Sequence, residues 1–478
     1  MKVWYLKSSR HLFWIVLVVA LVVRLPFLFF TADDAFITYR HVTNLLSGDG
    51  LVYNPGELVL GASSPLYAMA LAALGLGGLD FILWGKLLGI VAGSLACVLL
   101  YRILRCEVGE ETALLAGLLG ALSPYLVVWS ASGMETGTAL LLALLTIDMY
   151  RQNKMVPTGI FLGLSILTRF DAGLLGFVLC CHYGMKERRF PIELIASACS
   201  VVTPWLAFSL AYYGMLLPNS LVAKFLVYKG TSEVTPLVEK LGVFFGKPDK
   251  FGFSLLVIWG YIRIFRTKKT SLFLLGFWSL LHLCSLLLSE GCMFAWYYCP
   301  VFPGYVALGA WGVVDLCDRF ASRVRQHPKT LFLATLLFLV LLQSFRLIHS
   351  WKLHQEIQAE MTQVHKQIGL WLKDKSQPKD TILVGDIGYI GYYSERHILD
   401  WMGLVSPKVI PYHKNGIPEK VVLDFRPEYI VLGEYDYLFP LLTNQNWFSR
   451  MYQQAQVFSE GSQVYHIWEM RSNDPGGL

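Results

Sequence analysis

Repeated apolar stretches constrain this sequence more than any other feature, and several approach the roughly 20 residues that an α-helix needs to cross a bilayer. A backbone in lipid must satisfy its own hydrogen bonds, so such stretches predict spanning helices. Only 15% of the residues are charged, against roughly 25% in soluble domains. A soluble fold could not cover this much apolar surface, and the chain is predicted to be a polytopic α-helical membrane protein.

The distribution of Lys and Arg predicts how these helices are oriented. Basic clusters lie at the N-terminus and near residues 102–105, 151–154, 186–189, 263–269 and 319–329. The positive-inside rule places these clusters on the cytoplasmic side. In contrast, the long connection 31–80 has Arg40 as its single basic residue against five acidic ones, and it should face outward. Because the formal charge of +6 is divided among short clusters, it does not indicate a nucleic-acid partner.

The charge pattern is consistent with about eleven spanning helices if residues 63–75 lie on the outer leaflet as an interfacial helix. The predicted spans are 11–30, 81–101, 111–130, 136–150, 156–168, 172–184, 192–213, 251–265, 271–289, 299–315 and 330–347. The N-terminus is then cytoplasmic and the C-terminus extracytoplasmic.

The character of the chain changes at about residue 350. A polar segment follows, with short β-rich runs at 381–384, 429–432 and 464–468 separated by helical or turn-like stretches. We therefore predict a transmembrane domain over residues 1–349 and a soluble extracytoplasmic α/β domain over residues 350–478.

Two adjacent aspartates, Asp33 and Asp34, follow the first predicted span and begin an amphipathic helix. In a structural interpretation, Asp33 caps the helix and Asp34 complements its dipole. In a catalytic interpretation, a carboxylate at the membrane rim takes a proton from an acceptor hydroxyl. Arg40 would share a helical face with Asp33, which favours Asp33 as the base.

A second polar cluster, Arg169 and Asp171, falls at the turn between two short apolar runs. Charged residues at membrane depth are costly unless they are paired or functional. One interpretation is an internal ion pair that fixes the turn. The other is that Arg169 binds an anionic headgroup, because a guanidinium fork matches phosphate oxygens.

Five further residues have both a structural and a functional interpretation. Lys86 and Lys224 either extend their ammonium groups to the interface or bind an anion. Glu135 starts a predicted span, where helix capping is the simplest explanation. Asn219 follows a proline in an ordinary turn pattern. Trp296 belongs to the aromatic segment 294–298, which is typical of an interfacial belt but also of rings that stack on sugars.

Six sequence blocks in order carry a family resemblance. They are DDAFITYRHVTNLLSGDGLVYNPGE (33–57), GASSPLY (61–67), SGMET (132–136), LTRFDA (167–172), YYGMLLPNSLVAK (212–224) and GDIGYIGYYSERHILDWMGL (385–404). Together they resemble the bacterial GT-C glycosyltransferases, in particular the group that includes the mycobacterial terminal arabinofuranosyltransferases. Phe170 and Ala172 replace the Pro and Gly usual in that group, and GASSPLY varies its Tyr-Thr-Ser-Pro run, so the resemblance does not define the donor.

The resemblance implies an inverting transfer from a polyprenyl-phosphate sugar to an envelope glycan, lipid or protein at the outer face of a bacterial inner membrane. It implies that Asp33 or Asp34 is the catalytic base and that Arg169 and Lys224 lie near the donor phosphate. We add Arg40 and Lys86 to the predicted donor site. The predicted substrate contacts are Glu135, Asp171, Asn219 and Trp296.

Two other classes of protein share part of this pattern. A transporter or flippase of lipid-linked glycans would have similar spans and basic residues, but it needs neither an acidic pair after the first span nor a soluble outer domain. A membrane scaffold does not explain several polar clusters on one face. The acidic pair alone does not decide whether a divalent metal takes part, and no cofactor is predicted.

Overall fold

The computed structural model describes residues 2–227, 235–267, 269–324 and 327–471, and helices make up most of these ranges. The N-terminal part consists of α1 (Lys2–Val22), α2 (Asp33–Ser47), α3 (Pro65–Leu76), α4 (Phe81–Val108), α5 (Glu110–Leu122), α6 (Pro124–Ala131), α7 (Thr136–Arg151), α8 (Met155–Thr168), α9 (Gly173–Glu187), α10 (Ile192–Tyr213), α11 (Asn219–Leu226), α12 (Leu237–Phe245), α13 (Pro248–Ile264), α14 (Thr270–Leu288), α15 (Phe302–Val324) and α16 (Pro328–Glu360). The prediction of a polytopic helical membrane protein is confirmed.

The predicted spans all overlap helices, but their number stays a prediction. Within the described ranges, five helices are long and apolar enough to cross a membrane, and the bent pair α5 and α6 brings the number to six. The 52° bend in that pair lies at Ser123. Pro124 lacks an amide proton and excludes helical backbone angles for the preceding residue, so Ser123 is extended and a new helix begins.

The C-terminal part is an α/β domain, as predicted. Its elements are α17 (Gln367–Lys375), β1 (Thr381–Val384), α18 (Tyr389–Ser394), β2 (His397–Asp400), α19 (Ile410–Lys414), α20 (Lys420–Phe425), β3 (Tyr429–Gly433), α21 (Leu438–Thr443), α22 (Asn446–Met451), β4 (Tyr452–Glu460) and β5 (Gln463–Met470). The sheet order is β2-β1-β3-β5-β4, with β1 parallel to β2 and β3, and β5 antiparallel to β3 and β4. The three predicted β-rich runs form β1, β3 and β5, whose inward side chains build the domain core.

The two parts are joined by continuous helix rather than by a flexible linker. The predicted boundary at residue 350 lies inside α16, whose apolar stretch is followed by a polar one that runs to Glu360. A single π-helical turn, Met361–Lys366, then connects α16 to α17. This connection keeps the α/β domain above one end of the helical bundle.

Buried polar side chains attach the α/β domain to the connection after α1. The Arg40 guanidinium donates hydrogen bonds to the carbonyl oxygens of Tyr53 (2.8 Å), Gly391 (2.5 Å) and Arg396 (2.5 Å). The Asn54 side chain pairs with both the amide and the carbonyl of Ile398, at 3.0 and 2.9 Å. The bonds to Gly391, Arg396 and Ile398 link residues more than 300 positions apart in the sequence and define how the domain sits on the bundle.

We expect Arg40→Met to destabilise the protein strongly, because it leaves buried carbonyl oxygens without a donor. Each unsatisfied buried group costs about 1–3 kcal/mol, so several together should lower the melting temperature markedly. Thermal unfolding and limited proteolysis in detergent would measure the effect. Arg450→Met, at an exposed position of the same domain, is the matched control. Equal melting temperatures for both variants would contradict this role of Arg40.

Candidate active site

The candidate site lies where the helical bundle meets the α/β domain. Its side chains come from the start of α2, the start of α7, the turn between α8 and α9, α11, and the short 3-10 segment Ala295–Val301. The loop after β1 closes the site from the side of the α/β domain. Elements distant in sequence therefore contribute to one cleft.

Asp33 has a structural role that differs from the predicted cap. Ala32 occupies the N-cap position of α2, and no side chain caps that helix. The Asp33 carboxylate instead accepts hydrogen bonds from the amides of Gly388 (3.0 Å) and Tyr389 (2.9 Å), at the start of α18. A Cβ atom at Gly388 would collide with Asp33, which explains the glycine there. Asp33 is thus engaged with the α/β domain, and our preference for it as the base is not supported by its geometry.

Asp34 is the better candidate for a base. Within the described ranges its carboxylate has neither a hydrogen bond nor an ion pair with another residue. Burial raises the pKa of Asp34 to about 6, with the Lys224 charge opposing this rise and the Asp33, Glu135 and Asp386 charges adding to it. A carboxylate with such a pKa is ionised near neutral pH and still basic enough to accept a proton.

Lys224 is the cation that faces Asp34. Its ammonium donates a hydrogen bond to the Tyr297 hydroxyl at 2.5 Å and lies 5.5 Å from the centroid of the Phe294 ring. Burial lowers the pKa of Lys224, but the charges of Tyr297 and Asp34 outweigh this effect and raise it. Lys224 has no ion pair with a carboxylate among the described residues. Its positive charge is therefore available to an anionic ligand.

Arg169 belongs to an ion cluster beside this cleft. Its guanidinium binds Asp171 at 2.6 Å and Glu135 at 3.1 Å. His282 lies 4.0 Å from Asp171, and its Nε2 atom is hydrogen-bonded to the Tyr297 carbonyl oxygen, 3.0 Å away. Since a carbonyl oxygen can only accept, the ring Nε2 is the donor in that bond. The internal ion pair that we considered for Arg169 and Asp171 is therefore present, and it includes Glu135.

Three predicted site residues, Arg40, Asn219 and Lys86, have their partners outside the cleft. Arg40 and Asn219 bind backbone carbonyls of the α/β domain, Asn219 through Gly403 at 2.5 Å. Lys86 donates to Thr31 at 2.9 Å and to the Leu28 carbonyl, which fixes the segment after α1. Arg40 and Lys86 thus have carbonyl or hydroxyl partners inside the protein, and their place in the donor site stays a prediction that this geometry does not support.

Trp296 is also displaced from its predicted role. It is 8% exposed and packs between Trp129 and Phe294, with ring centroids 4.8 and 4.6 Å apart. Its neighbour Tyr297 contacts Lys224 and lies under Arg169, whose guanidinium carbon is 6.0 Å from the ring centroid. The aromatic segment was recognised in the sequence, but the residue that faces the cleft is Tyr297.

Sequence reasoning missed the contribution of the α/β domain. Asp386 and His365 both lie near the acidic pair, and the Tyr435 hydroxyl donates to Asp386 at 2.8 Å. The available signal was Asp386 itself, an acidic residue directly after a buried strand in the block GDIG. Among the described residues, no three His, Cys, Asp or Glu side chains converge on one point, and we assign no metal ligand.

A cavity of about 410 Å³ lies beside the aromatic segment, between α6, α12, α13, α15 and α16. Its walls are mainly apolar, Lys247 and Lys250 add positive charge, and Arg346 forms an ion pair with Asp249. Trp129 lines the cavity, and its ring packs against Trp296 with the ring centroids 4.8 Å apart.

Comparisons with known proteins give one partial sequence match and one family model. A terminal β-(1→2)-arabinofuranosyltransferase of Corynebacterium glutamicum is 28% identical over 239 residues, which cover 40% of this chain. The chain spans about a third (33%) of that relative's length. Residues 351–471 match a domain of unknown function, DUF8728.

Solved structures match over nearly the whole chain at low identity. ArnT from Cupriavidus metallidurans bound to undecaprenyl phosphate is similar with a TM-score of 0.62 and 14% identity, over 99% of this chain and 100% of that one. The Archaeoglobus fulgidus oligosaccharyltransferase tethered to an acceptor peptide gives a TM-score of 0.59 and 13% identity, over 97% and 75%. This chain therefore has the fold of the GT-C glycosyltransferases.

Proposed function

We propose that this protein transfers a sugar from a polyprenyl-phosphate donor to a hydroxyl of an envelope glycan, lipid or protein. The observation that carries the proposal is that the charges of Asp34 and Lys224 act on each other, while among the described residues Asp34 has no hydrogen bond or ion pair and Lys224 has no ion pair with a carboxylate. A base and a phosphate-binding group are the two functions that such a transfer requires. We place the site at the outer face of a bacterial inner membrane, with the N-terminus in the cytoplasm.

The reaction follows from the chemistry of these two groups. Asp34 takes the proton of the acceptor hydroxyl, and that oxygen forms a bond to the anomeric carbon of the sugar. The bond from this carbon to the donor phosphate oxygen breaks, and the polyprenyl phosphate leaves with the bonding electrons. Lys224 stabilises the negative charge that develops on the leaving phosphate. Attack opposite to the leaving group inverts the anomeric configuration.

The ion cluster would support this reaction without being its main phosphate-binding group. Asp171 and Glu135 already neutralise Arg169, so a donor phosphate would have to compete with two carboxylates. Lys224 has no such competitor among the described residues. We therefore assign direct phosphate contact to Lys224, and we assign to Arg169 the positioning of Tyr297 below it.

The neighbouring cavity offers space for a lipid chain. Pockets that bind small ligands are mostly apolar with a few polar groups that fix orientation, and the cavity of about 410 Å³ has this character. The related structures include ArnT bound to undecaprenyl phosphate and the archaeal oligosaccharyltransferase AglB in complex with dolichol phosphate. A polyprenyl chain in this cavity would bring its phosphate toward Lys224. A transporter or flippase is less well supported, because transport does not require a base opposite a phosphate-binding cation.

The pH dependence of transfer tests the proposal. Asp34 acts as a base only when it is ionised, so we expect the rate to fall as the pH drops through about 6, the pKa of this carboxyl. Purified protein in nanodiscs would be supplied with a series of polyprenyl-phosphate sugars and an envelope extract as acceptor, and product formation would be measured against pH.

Asp49→Asn, which removes an exposed carboxylate from the same connection, should leave this profile unchanged. If the transfer rate of the parent protein does not fall as the pH drops through about 6, Asp34 is not the base. No turnover of any donor by the parent protein would contradict the proposed function itself.

A further inference from the structure

A buried histidine of the connecting turn lies against the acidic pair. His365 belongs to the π-helical turn Met361–Lys366 and is 2% exposed. Neither ring nitrogen has a hydrogen-bond partner among the described residues. Such π-helical turns occur frequently at functional sites, and leaving a buried imidazole without a full hydrogen bond costs free energy. The placement of His365 therefore calls for an explanation other than packing.

The groups around His365 are mostly acidic. Its Nδ1 atom is 3.7 Å from the Asp33 carboxylate, and the charges of Asp386 and Glu360 also act on the ring. The Tyr465 ring lies edge-on, with its centroid 4.9 Å away. The adjacent cation, Lys366, is directed elsewhere, 5.0 Å from the centroid of the Tyr393 ring.

Without a cation, the carboxylates at this junction would repel one another. Burial raises the pKa of Asp386, and the Asp33 charge adds to this rise, while the positive charge of His365 opposes it. Asp33 and Asp386 both act on Asp34 in the same unfavourable direction. An imidazole near carboxylates is favoured in its charged form, and in that form it offsets the repulsion between Asp33 and Asp386.

We propose that His365 is a positioning residue for the transfer reaction, which holds Asp33 against α18 and balances the charges of Asp33 and Asp386 so that Asp34 stays ionised and free. This inference rests on the proposed function, since it concerns the base of that reaction. It also assigns a task to the α/β domain, which supplies both His365 and Asp386 to the environment of the base.

Opposite charge changes at this junction should move the titration of Asp34 in opposite directions. In His365→Gln the loss of a positive charge raises the pKa of Asp34, and the acidic limb of the rate profile moves to higher pH. In Asp386→Asn the loss of a negative charge lowers the pKa of Asp34, and the acidic limb of the rate profile moves to lower pH. Each displacement should be about 0.5 to 1 pH unit at the effective dielectric of a protein surface. The double variant should return toward the parental position.

Infrared spectroscopy makes the test independent of turnover. The carbonyl stretch of protonated Asp34, identified by its loss in Asp34→Asn, would be titrated without substrate in the parent and in the three variants. The matched control is His466→Gln, which removes an imidazole that lies 2.9 Å from Glu434 in the same domain.

The proposal is supported if the pH midpoint of Asp34 rises in His365→Gln, falls in Asp386→Asn and returns toward the parental value in the double variant. If the pH midpoint of the Asp34 carbonyl stretch is the same in His365→Gln and Asp386→Asn as in the parent, the proposal is wrong. This holds even where His365→Gln lowers protein stability. Displaced midpoints in a protein that transfers no sugar would support the charge balance and contradict the proposed function instead.

Discussion

Asp34→Asn should lower the rate of sugar transfer about 10²- to 10⁴-fold, the usual cost of losing general-base assistance. Asparagine has nearly the same shape as aspartate but cannot accept the proton. The Asp34 carboxylate has no hydrogen bond with any described residue that the substitution would break, so expression and melting temperature should stay close to those of the parent. Transfer rates and thermal unfolding of the purified variant would measure both quantities.

Asp33→Asn provides the comparison, because the two neighbours differ in their contacts. Asparagine has one side-chain oxygen, so it retains one of the two amide bonds to Gly388 and Tyr389. Losing a hydrogen bond to a charged group costs about 1.5–3 kcal/mol. We therefore expect reduced stability with a smaller loss of rate. Near-parental transfer by Asp34→Asn together with an inactive, stable Asp33→Asn would reverse the assignment.

Lys224→Met should lower the rate about 10²- to 10³-fold, the range observed when one stabilising donor to a developing negative charge is removed. Methionine keeps the length and apolar stem of lysine, but it loses the ammonium together with its hydrogen bond to Tyr297 and its cation–π contacts with Phe294 and Tyr297. Lys224→Arg keeps the charge and should retain more activity. Rates measured over a range of donor concentrations would show whether the loss lies in donor binding or in the chemical step.

Lys240→Met is the matched control for Lys224→Met. Lys240 is a buried lysine of α12 that donates to the Ser289 carbonyl, away from Asp34. Its loss tests the general effect of removing a buried ammonium from this region. An equal fall in activity for the two variants would mean that Lys224 acts through stability rather than through the donor phosphate.

The helical architecture was predictable because it depends on local properties of the sequence. Length and hydropathy located the helices, and the β-rich runs located β1, β3 and β5. The continuity of α16 beyond residue 350 was not apparent, because a polar helix outside the membrane has no hydropathy signal. The bend at Ser123 has a local cause in Pro124, but hydropathy averaged over the predicted span conceals it.

The composition of the site was partly predictable, whereas the roles within it were not. The family resemblance brought Asp34, Glu135, Arg169 and Lys224 together before any coordinates were considered. The choice between Asp33 and Asp34 depended on amides 355 and 356 residues further along the chain. Such long-range docking leaves no periodic pattern in the sequence. For the same reason, the sequence did not indicate that Arg40, a predicted donor-site residue, and Asn219, a predicted substrate contact, bind carbonyls of the α/β domain.

The most direct test of the account is the release of polyprenyl phosphate by purified protein in proteoliposomes. With a suitable polyprenyl-phosphate sugar, the parent protein should release the lipid phosphate when a hydroxyl acceptor is added, and Asp34→Asn should release almost none. The glycosylated product should carry the inverted anomeric configuration. Intact donor that moves between leaflets without being consumed, equally in the parent and in Asp34→Asn, would contradict the account and indicate a flippase.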